Sequence, residues 1–424
     1  MRFGYVLAFL FIAGWWSWAF MPKASLHTVP SAHYDPASLT ATAQPALSPL
    51  VREDISRALS GDFDLISRLL IEWDMDAQLL QFRGLEGIER LSTERLLTAL
   101  DLVYRLQQNN RDEIASLRSF YRKSSVIDDA SVVFPCQKQT PKVIPHTIAS
   151  ASFVLALNGT DNVVAIPKAI RNWQSFFPLQ SMQEIPYDCD RVLGEVLSAA
   201  HPDIAFVASY SNPASIEALR RQGVDIFTLS DLNTKDEITS AIERIGEAIN
   251  RSLEAQILCA FIDAAFLCID NRVAAMRNDF QPFVKPLVTY YYGQWYFPTY
   301  KTLTSRLAER AGIPYPQENL FDHPHSIMWL QPVSNEQIVF YNPSQLIIAA
   351  DKRAPLHVHT LVNQPFFSEI DACRNSNIQI IDAEIQQSVS QHIVLAYFDL
   401  YHALIRLAKP CPPKLNTLTS ALAY

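Results

Sequence analysis

The residues of this 424-residue chain that could do chemistry are suited to holding and stacking rather than to cutting or transferring groups. The densest run is Tyr290-Tyr-Tyr-Gly-Gln-Trp295-Tyr-Phe-Pro-Thr-Tyr300. A strand packed on one face needs aromatics only at alternate positions. This run exceeds that and reads as a loop after a strand, with Tyr291 and Trp295 lining a pocket for a large organic ligand. Trp173 and Tyr210 each follow a short apolar stretch. They read as rings that stack on a planar ligand, or as ordinary packing. His146 follows another such stretch and reads as a ligand contact or as a helix-entry side chain with a local hydrogen bond. Lys352 and Arg353 offer cations that match carboxylates, and equally fit a solvated loop.

Two histidine pairs, His323-Pro-His325 and His357-Val-His359, supply nitrogen donors. No dedicated Asp or Glu ligand accompanies them, and no zinc-type cysteine spacing occurs, so no metal site is assigned. The chain has no nucleophile-and-base pattern, no phosphate loop and no HExxH. The expectation is a protein that binds and does not catalyse, with no resident cofactor.

These residues need elements to position them. The stretch from Ser252 to about Arg277 has no Pro or Gly, and its apolar residues recur near helical spacing at Leu253, Ile257, Phe261, Ala264, Leu267 and Val273. Its reverse face is partly apolar too. It predicts one long helix, a spine spanning 252–280. On both sides short apolar strands alternate with helices: Ile204–Ala208, Asp225–Leu229, Asp236–Ile249 before it, and Pro286–Tyr292, Leu346–Ala349, Ile378–Ile381, Ser388–Leu407 after it. Such alternation predicts an α/β fold of two lobes with mostly parallel sheets, 134–251 and 281–424, with a ligand outside the carboxyl ends of the strands. Residues 50–133 read differently, as an extra helical segment with the stripe Ile66, Leu69, Leu70, Trp73 and a second helix carrying Leu96, Leu97, Leu100, Val103 and Leu106.

Net charge is −8 and no block of Lys or Arg occurs, which argues against nucleic acid as partner. Residues 1–23 hold Arg2 and an almost unbroken apolar run from Val6 to Met21, the pattern of an export signal or of an uncleaved N-terminal membrane anchor. Residues 24–49, rich in Pro, Ala, Ser and Thr, read as a linker. Cys259 and Cys268 face opposite sides of the spine and read as buried thiols. Cys136, Cys189, Cys373 and Cys411 could pair in an oxidising compartment.

One echo links the lobes. Glu195 lies seven residues before Pro202 and Glu336 seven before Pro343, each Pro introducing a buried strand. With the order of elements over Val143–Ile166, Leu197–Gly246 and Leu287–Ala311, and the stretch Val333-Ser-Asn-Glu336-Gln-Ile, the chain from Phe134 onward resembles a known family. That family is the periplasmic binding proteins of ABC importers for iron–siderophore complexes and vitamin B12, of the helical-backbone type. The resemblance implies capture of a metal-chelate ligand, itself containing iron or cobalt, and delivery to a permease dimer. It implies docking roles for Glu195 and Glu336 against arginines of the permease, and a periplasmic location. Arg353 would then meet an anionic siderophore complex. Two features depart from the family plan: the helical segment 50–133, and a first-lobe turn reduced to Asn158-Gly159-Thr160. A bare metal-ion receptor of similar fold, a chelatase-like enzyme and a scaffold are the other readings.

Overall fold

The computed structural model describes residues 50–73, 111–136, 139–172, 182–189, 199–230, 232–279, 285–313, 329–351 and 360–408 less 361 and 366, with isolated positions 75, 101–102, 105 and 177. Every structural statement concerns these residues. The export segment, the linker and the stripe from Leu96 to Leu106 lie outside them, although Leu102 beside that stripe is buried.

The extra segment contributes α1 (Arg52–Leu59), α2 (Phe63–Glu72) and α3 (Arg111–Tyr121). The stripe Ile66, Leu69, Leu70 and Trp73 is buried, as its spacing requires. Asp62 caps α2 by accepting from the Leu65 amide at 3.0 Å. The segment is not helical to its end. β1 (Ser125–Ile127) and β2 (Val133–Pro135) form an antiparallel hairpin that straddles the expected boundary at residue 133. Its turn docks on the neighbouring sheet: Asp128 accepts from the Thr228 amide at 2.8 Å, and Asp129 accepts from the Ser230 amide and pairs with Arg244. Exposed Ile127, Val132 and Val133 hid this hairpin from a reading by apolar burial pattern.

The N-terminal lobe comprises β3 (Val143–Pro145), α4 (Ile148–Asn158), β4 (Ala165–Ile166), α5 (Lys168–Asn172), β5 (Tyr187–Asp188), β6 (Ile204–Ala208), α6 (Pro213–Arg221), β7 (Asp225–Leu229) and α7 (Lys235–Ala248). β3, β6 and β7 pair in parallel in the order β3-β6-β7, and β4 pairs in parallel with β5. α4 is buried along nearly its whole length, so it reads as apolar on all sides.

The spine α8 runs Ser252–Asp279. By length and composition it could cross a membrane, yet 83% of its most apolar window is buried inside the protein. α7 lies along it on one side, the last helix on another, and α2 and α3 on the remainder. Ion pairs fasten it to both lobes. Lys235 on α7 reaches buried Asp263, and Arg310 grips Asp270 at 2.8 and 2.6 Å while Tyr397 donates to the same carboxylate at 2.7 Å.

The C-terminal lobe comprises β8 (Pro286–Tyr291), β9 (Trp295–Pro298), α9 (Leu303–Arg310), β10 (Leu330–Val333), α10 (Asn335–Tyr341), β11 (Gln345–Ala350), α11 (Asp371–Arg374), β12 (Ile378–Asp382), α12 (Ala383–Gln386) and α13 (Ile393–Ala408). Its sheet has the order β10-β9-β8-β11-β12, parallel over β8-β11-β12 and antiparallel at the β10-β9-β8 edge. The aromatic run is therefore not a loop. It is a β8–β9 hairpin with Gly293 at φ +81 in its turn. Tyr290 on one face and Trp295 on the other are both buried, so aromatics serve both faces, although Tyr292 at the turn is exposed. The last helix begins at Ile393 rather than near Ser388, because the buried side chains of Ser390 and Gln391 bond locally or to distant backbone instead.

Among the described residues Cys136, Cys189, Cys259, Cys268 and Cys373 carry reduced thiols, those of Cys189 and Cys259 donating to the Pro145 and Thr239 carbonyls. Burial pushes the Cys268 thiol up to about 12, which leaves it unreactive. Cys411 lies outside the described residues.

Ala264→Pro should cost about 3 kcal/mol or more, since Pro removes a backbone hydrogen bond and clashes with the preceding turn of α8. Ala264 is fully buried at the middle of the spine. An unchanged melting temperature would contradict a continuous buried helix. Asp129 supplies a pH test. Burial opposes its charge, but the Arg244 guanidinium and the Ser230 amide together hold its carboxyl below the usual carboxylate range. A lowered folded pKa contributes stability above the ordinary carboxylate range, and that stability is lost as pH falls through the folded value. The melting difference between the wild type and Asp129→Asn should thus be largest near neutrality and vanish in strong acid. A difference constant with pH would contradict it.

Candidate functional site

The carboxyl ends of the parallel strands of both lobes face one cleft of about 680 Å³. The N-terminal lobe lines it with Thr147 and Ala149 after β3, Ser209 and Tyr210 after β6, and Leu229, Ser230 and Leu232 at the end of β7. The C-terminal lobe lines it with Tyr290 of β8, Thr302 to Thr304 at the start of α9, Trp329, and Gln386, Gln387 and Val389 at and after the end of α12. An adjoining hollow of about 420 Å³ shares Thr147, Tyr210 and Gln387 and adds His146, Pro167 and Ser211.

Local rules place these side chains. Thr147 caps α4 in a reciprocal box with Ser150, and Thr302 caps α9 by accepting from the Ser305 amide at 3.2 Å. One helix start from each lobe therefore faces the cleft, and helix starts favour oxygen-rich or anionic groups. Tyr210 follows β6 and is 71% exposed, while Trp329 just before β10 is 52% exposed. The Trp329 carbonyl is held by the Thr299 amide at 3.1 Å. Each lobe thus presents an aromatic ring to the same cleft. Below them Tyr290 is fully buried and bonded to Thr304, whose hydroxyl donates to the Gln386 carbonyl at 2.9 Å. Burial pushes the Tyr290 phenol far up, so it is neutral at any physiological pH. Among the described residues lining the cleft, none is Asp, Glu, Lys or Arg. Among the described residues, no group of three His, Cys, Asp or Glu could hold a metal ion.

The expected residues divide cleanly. Tyr210 lines the cleft and His146 its adjoining hollow, where the His146 amide donates to the Phe206 carbonyl at 2.8 Å. Trp295 and Tyr291 do not line the cleft. Trp295 is 3% exposed and packs in the second core of the C-terminal lobe, against Tyr291 at 5.0 Å and Phe367 at 5.7 Å. The physical reason is the strand period: Tyr290, Tyr292 and Tyr296 share one face of the hairpin, and Tyr291 and Trp295 the other. Glu336 is exposed in the first turn of α10, away from the cleft. Its own amide and the Ser334 hydroxyl hold its carboxyl below the usual range. Trp173, Glu195, Lys352, Arg353 and both histidine pairs lie outside the described residues. Sequence reasoning missed Trp329, which stands alone without a motif, and the neutral run from Gln386 to Val389, which carried no chemical signal.

Comparison with known proteins accords with this geometry. No curated protein sequence matches the chain. Among solved structures, a periplasmic haem-binding protein from Pseudomonas aeruginosa is 20% identical with a TM-score of 0.51, covering 64% of this chain and 95% of that one. The petrobactin-binding protein YclQ from Bacillus subtilis is 16% identical with a TM-score of 0.52, covering 66% and 98%. The periplasmic haem-binding protein RhuT from Roseiflexus sp. RS-1 is 16% identical with a TM-score of 0.51, covering 64% and 100%. At these identities the likeness establishes a shared fold. The family model described as periplasmic binding protein matches residues 146–385, which carry residues of both cleft walls, and on that match the chain belongs to the periplasmic binding protein family.

Proposed function

We propose that this chain is the substrate-binding component of an ABC importer, capturing an organic metal chelate between its lobes and handing it to a permease. The carrying observation is the cleft itself, which lies outside the strand ends of both lobes and has an exposed aromatic ring on each side. Its size suits a large organic ligand. The rings of Tyr210 and Trp329 offer stacking faces, and the starts of α4 and α9 offer partial positive charge to ligand oxygens. An iron–siderophore complex or a cobalamin-like ligand combines such faces with such oxygens. Related structures that bind haem and petrobactin support this ligand class. A bare metal ion would need charged or imidazole ligands, and the described lining of the main cleft has none. The chain works without catalysis in this reading. The apolar segment 1–23 takes it to the periplasm, as a cleaved signal or a retained anchor.

Delivery uses the exposed lobe surfaces. Glu336, ionised and exposed on α10, pairs with an arginine of one permease subunit, and Glu195 is assigned the matching contact from the other lobe. One receptor then spans the permease dimer.

Trp329→Ala and Tyr210→Ala should each weaken binding by about 1–3 kcal/mol, as removal of a contacting aromatic anchor does. Titration calorimetry with a ferric trihydroxamate, a ferric tricatecholate and cobalamin as probes checks this. Trp295→Ala should instead lower stability by about 3–5 kcal/mol through the cavity it leaves. Failure of all three probes to bind would remove the receptor reading. Equal affinity in the Trp329 and Tyr210 variants would remove only their assigned roles. Glu336→Ala should leave probe affinity unchanged and weaken binding to reconstituted permease, most at low salt where such pairs are least screened. Unaltered permease binding would contradict the docking role.

A further inference from the structure

The helical segment ahead of the family match touches every body whose relative movement would open the cleft. α1 packs on α13, the last helix of the C-terminal lobe, and Arg52 holds Asp399 there through Nε at 2.8 Å and Nη2 at 3.0 Å. The turn after α1 presses on α4 of the N-terminal lobe. A Cβ built on Gly61 would lie 2.2 Å from the Ala156 carbonyl oxygen, and Gly61 has φ +96. α2 lies on the spine, where Trp73 stacks on Phe261 at 5.4 Å. Gln391, fully buried just before α13, closes the joint. Its Nε2 donates to the Leu59 carbonyl at the end of α1, at 3.2 Å, and to the Ser152 carbonyl in α4, at 2.9 Å. One amide group bonds the helical segment and both lobes at once.

These contacts sit behind the cleft. Thr147 and Ala149 at the start of α4 face the cleft, whereas Ser152 and Ala156 meet the helical segment farther along the same helix. Gln386, Gln387 and Val389 line the cleft, and Gln391 lies just beyond them. Two lobes joined by one helix can rotate by bending it or by shearing along it. Here such rotation would pull α4 from α13 and so break the Gln391 bonds and the Gly61 contact together. We infer that the α1–α2 hairpin is a brace that fixes the angle between the lobes, so that the ligand enters a cleft of set width. The brace lies before residues 146–385, the part of the chain matched to the family.

Spin-label distance measurement tests this. The chain, with its six cysteines replaced by serine or alanine, carries Glu217→Cys on α6 and Arg306→Cys on α9. Both positions are exposed, one on each lobe. The expected result is a single narrow distance distribution. Gly61→Ala, which drives a methyl group into the Ala156 carbonyl, should broaden it or move it to longer distances. Gln391→Leu, which removes both hydrogen bonds at similar volume, should do the same and decides the matter alone if Gly61→Ala does not fold. Val207→Ala, in the N-terminal lobe core away from the brace, should lower the melting temperature and leave the distribution narrow. A broad distribution in the parent, narrow distributions in both brace variants, or equal broadening in Val207→Ala would overturn the brace.

Discussion

A 28-residue helix that is apolar over most of its surface has to be covered over most of it, and the arrangement of this protein follows from meeting that demand. α7 of the N-terminal lobe covers one side of α8, α13 of the C-terminal lobe another, and the α2 and α3 helices the rest. Two carboxylates within the spine are paired with groups from the lobes. Asp263 meets Lys235, and Asp270 takes both Arg310 and the Tyr397 hydroxyl. A buried carboxylate without such partners would be strongly destabilising, so these pairs fix which helix lies on which side. The extra helical segment is thus part of the core, since Ile66, Leu69, Leu70 and Trp73 are buried in the same cluster as the spine.

The spine also sets where a ligand can go. It joins the lobes along one side, so the strand ends of the two sheets are left facing each other. The loops there need not satisfy a ladder of hydrogen bonds, and they are free to carry Ser209, Tyr210, Ser230, Trp329 and Gln387. The two sheets are built differently. The N-terminal one is all parallel, while the C-terminal one ends in an antiparallel edge made by the β8–β9 hairpin and β10. That edge brings Trp329 to the cleft opposite Tyr210.

The aromatic hairpin shows how one residue of register divides cleft lining from core packing. Tyr290 and Tyr291 are adjacent in the chain, but Tyr290 lines the cleft and Tyr291 packs on Trp295 in a separate core. An excess of aromatics over the needs of one face is a sound sign of a binding loop only when the other face meets solvent. Here Tyr290 on one face and Trp295 on the other are both buried, and the excess is the sum of two alternating patterns.

The sequence alone determined the spine, because a long run without Pro or Gly, with one apolar face and a partly apolar reverse face, has few other ways to be buried. It determined the two-lobed α/β plan, because short apolar strands alternating with helices leave little choice but parallel sheets. It placed Tyr210 and His146 just past strand ends and Glu336 on a lobe surface, since strand ends and helix starts are local features. The tertiary structure decided the rest. Whether Trp295 or Trp329 reached the cleft depended on pairing between distant strands, which local composition does not encode. The β1–β2 hairpin was settled by Asp128 and Asp129 reaching Thr228, Ser230 and Arg244 a hundred or so residues away. The joint at Gln391 likewise exists only where three separate segments meet, and no one of them carries a sign of it.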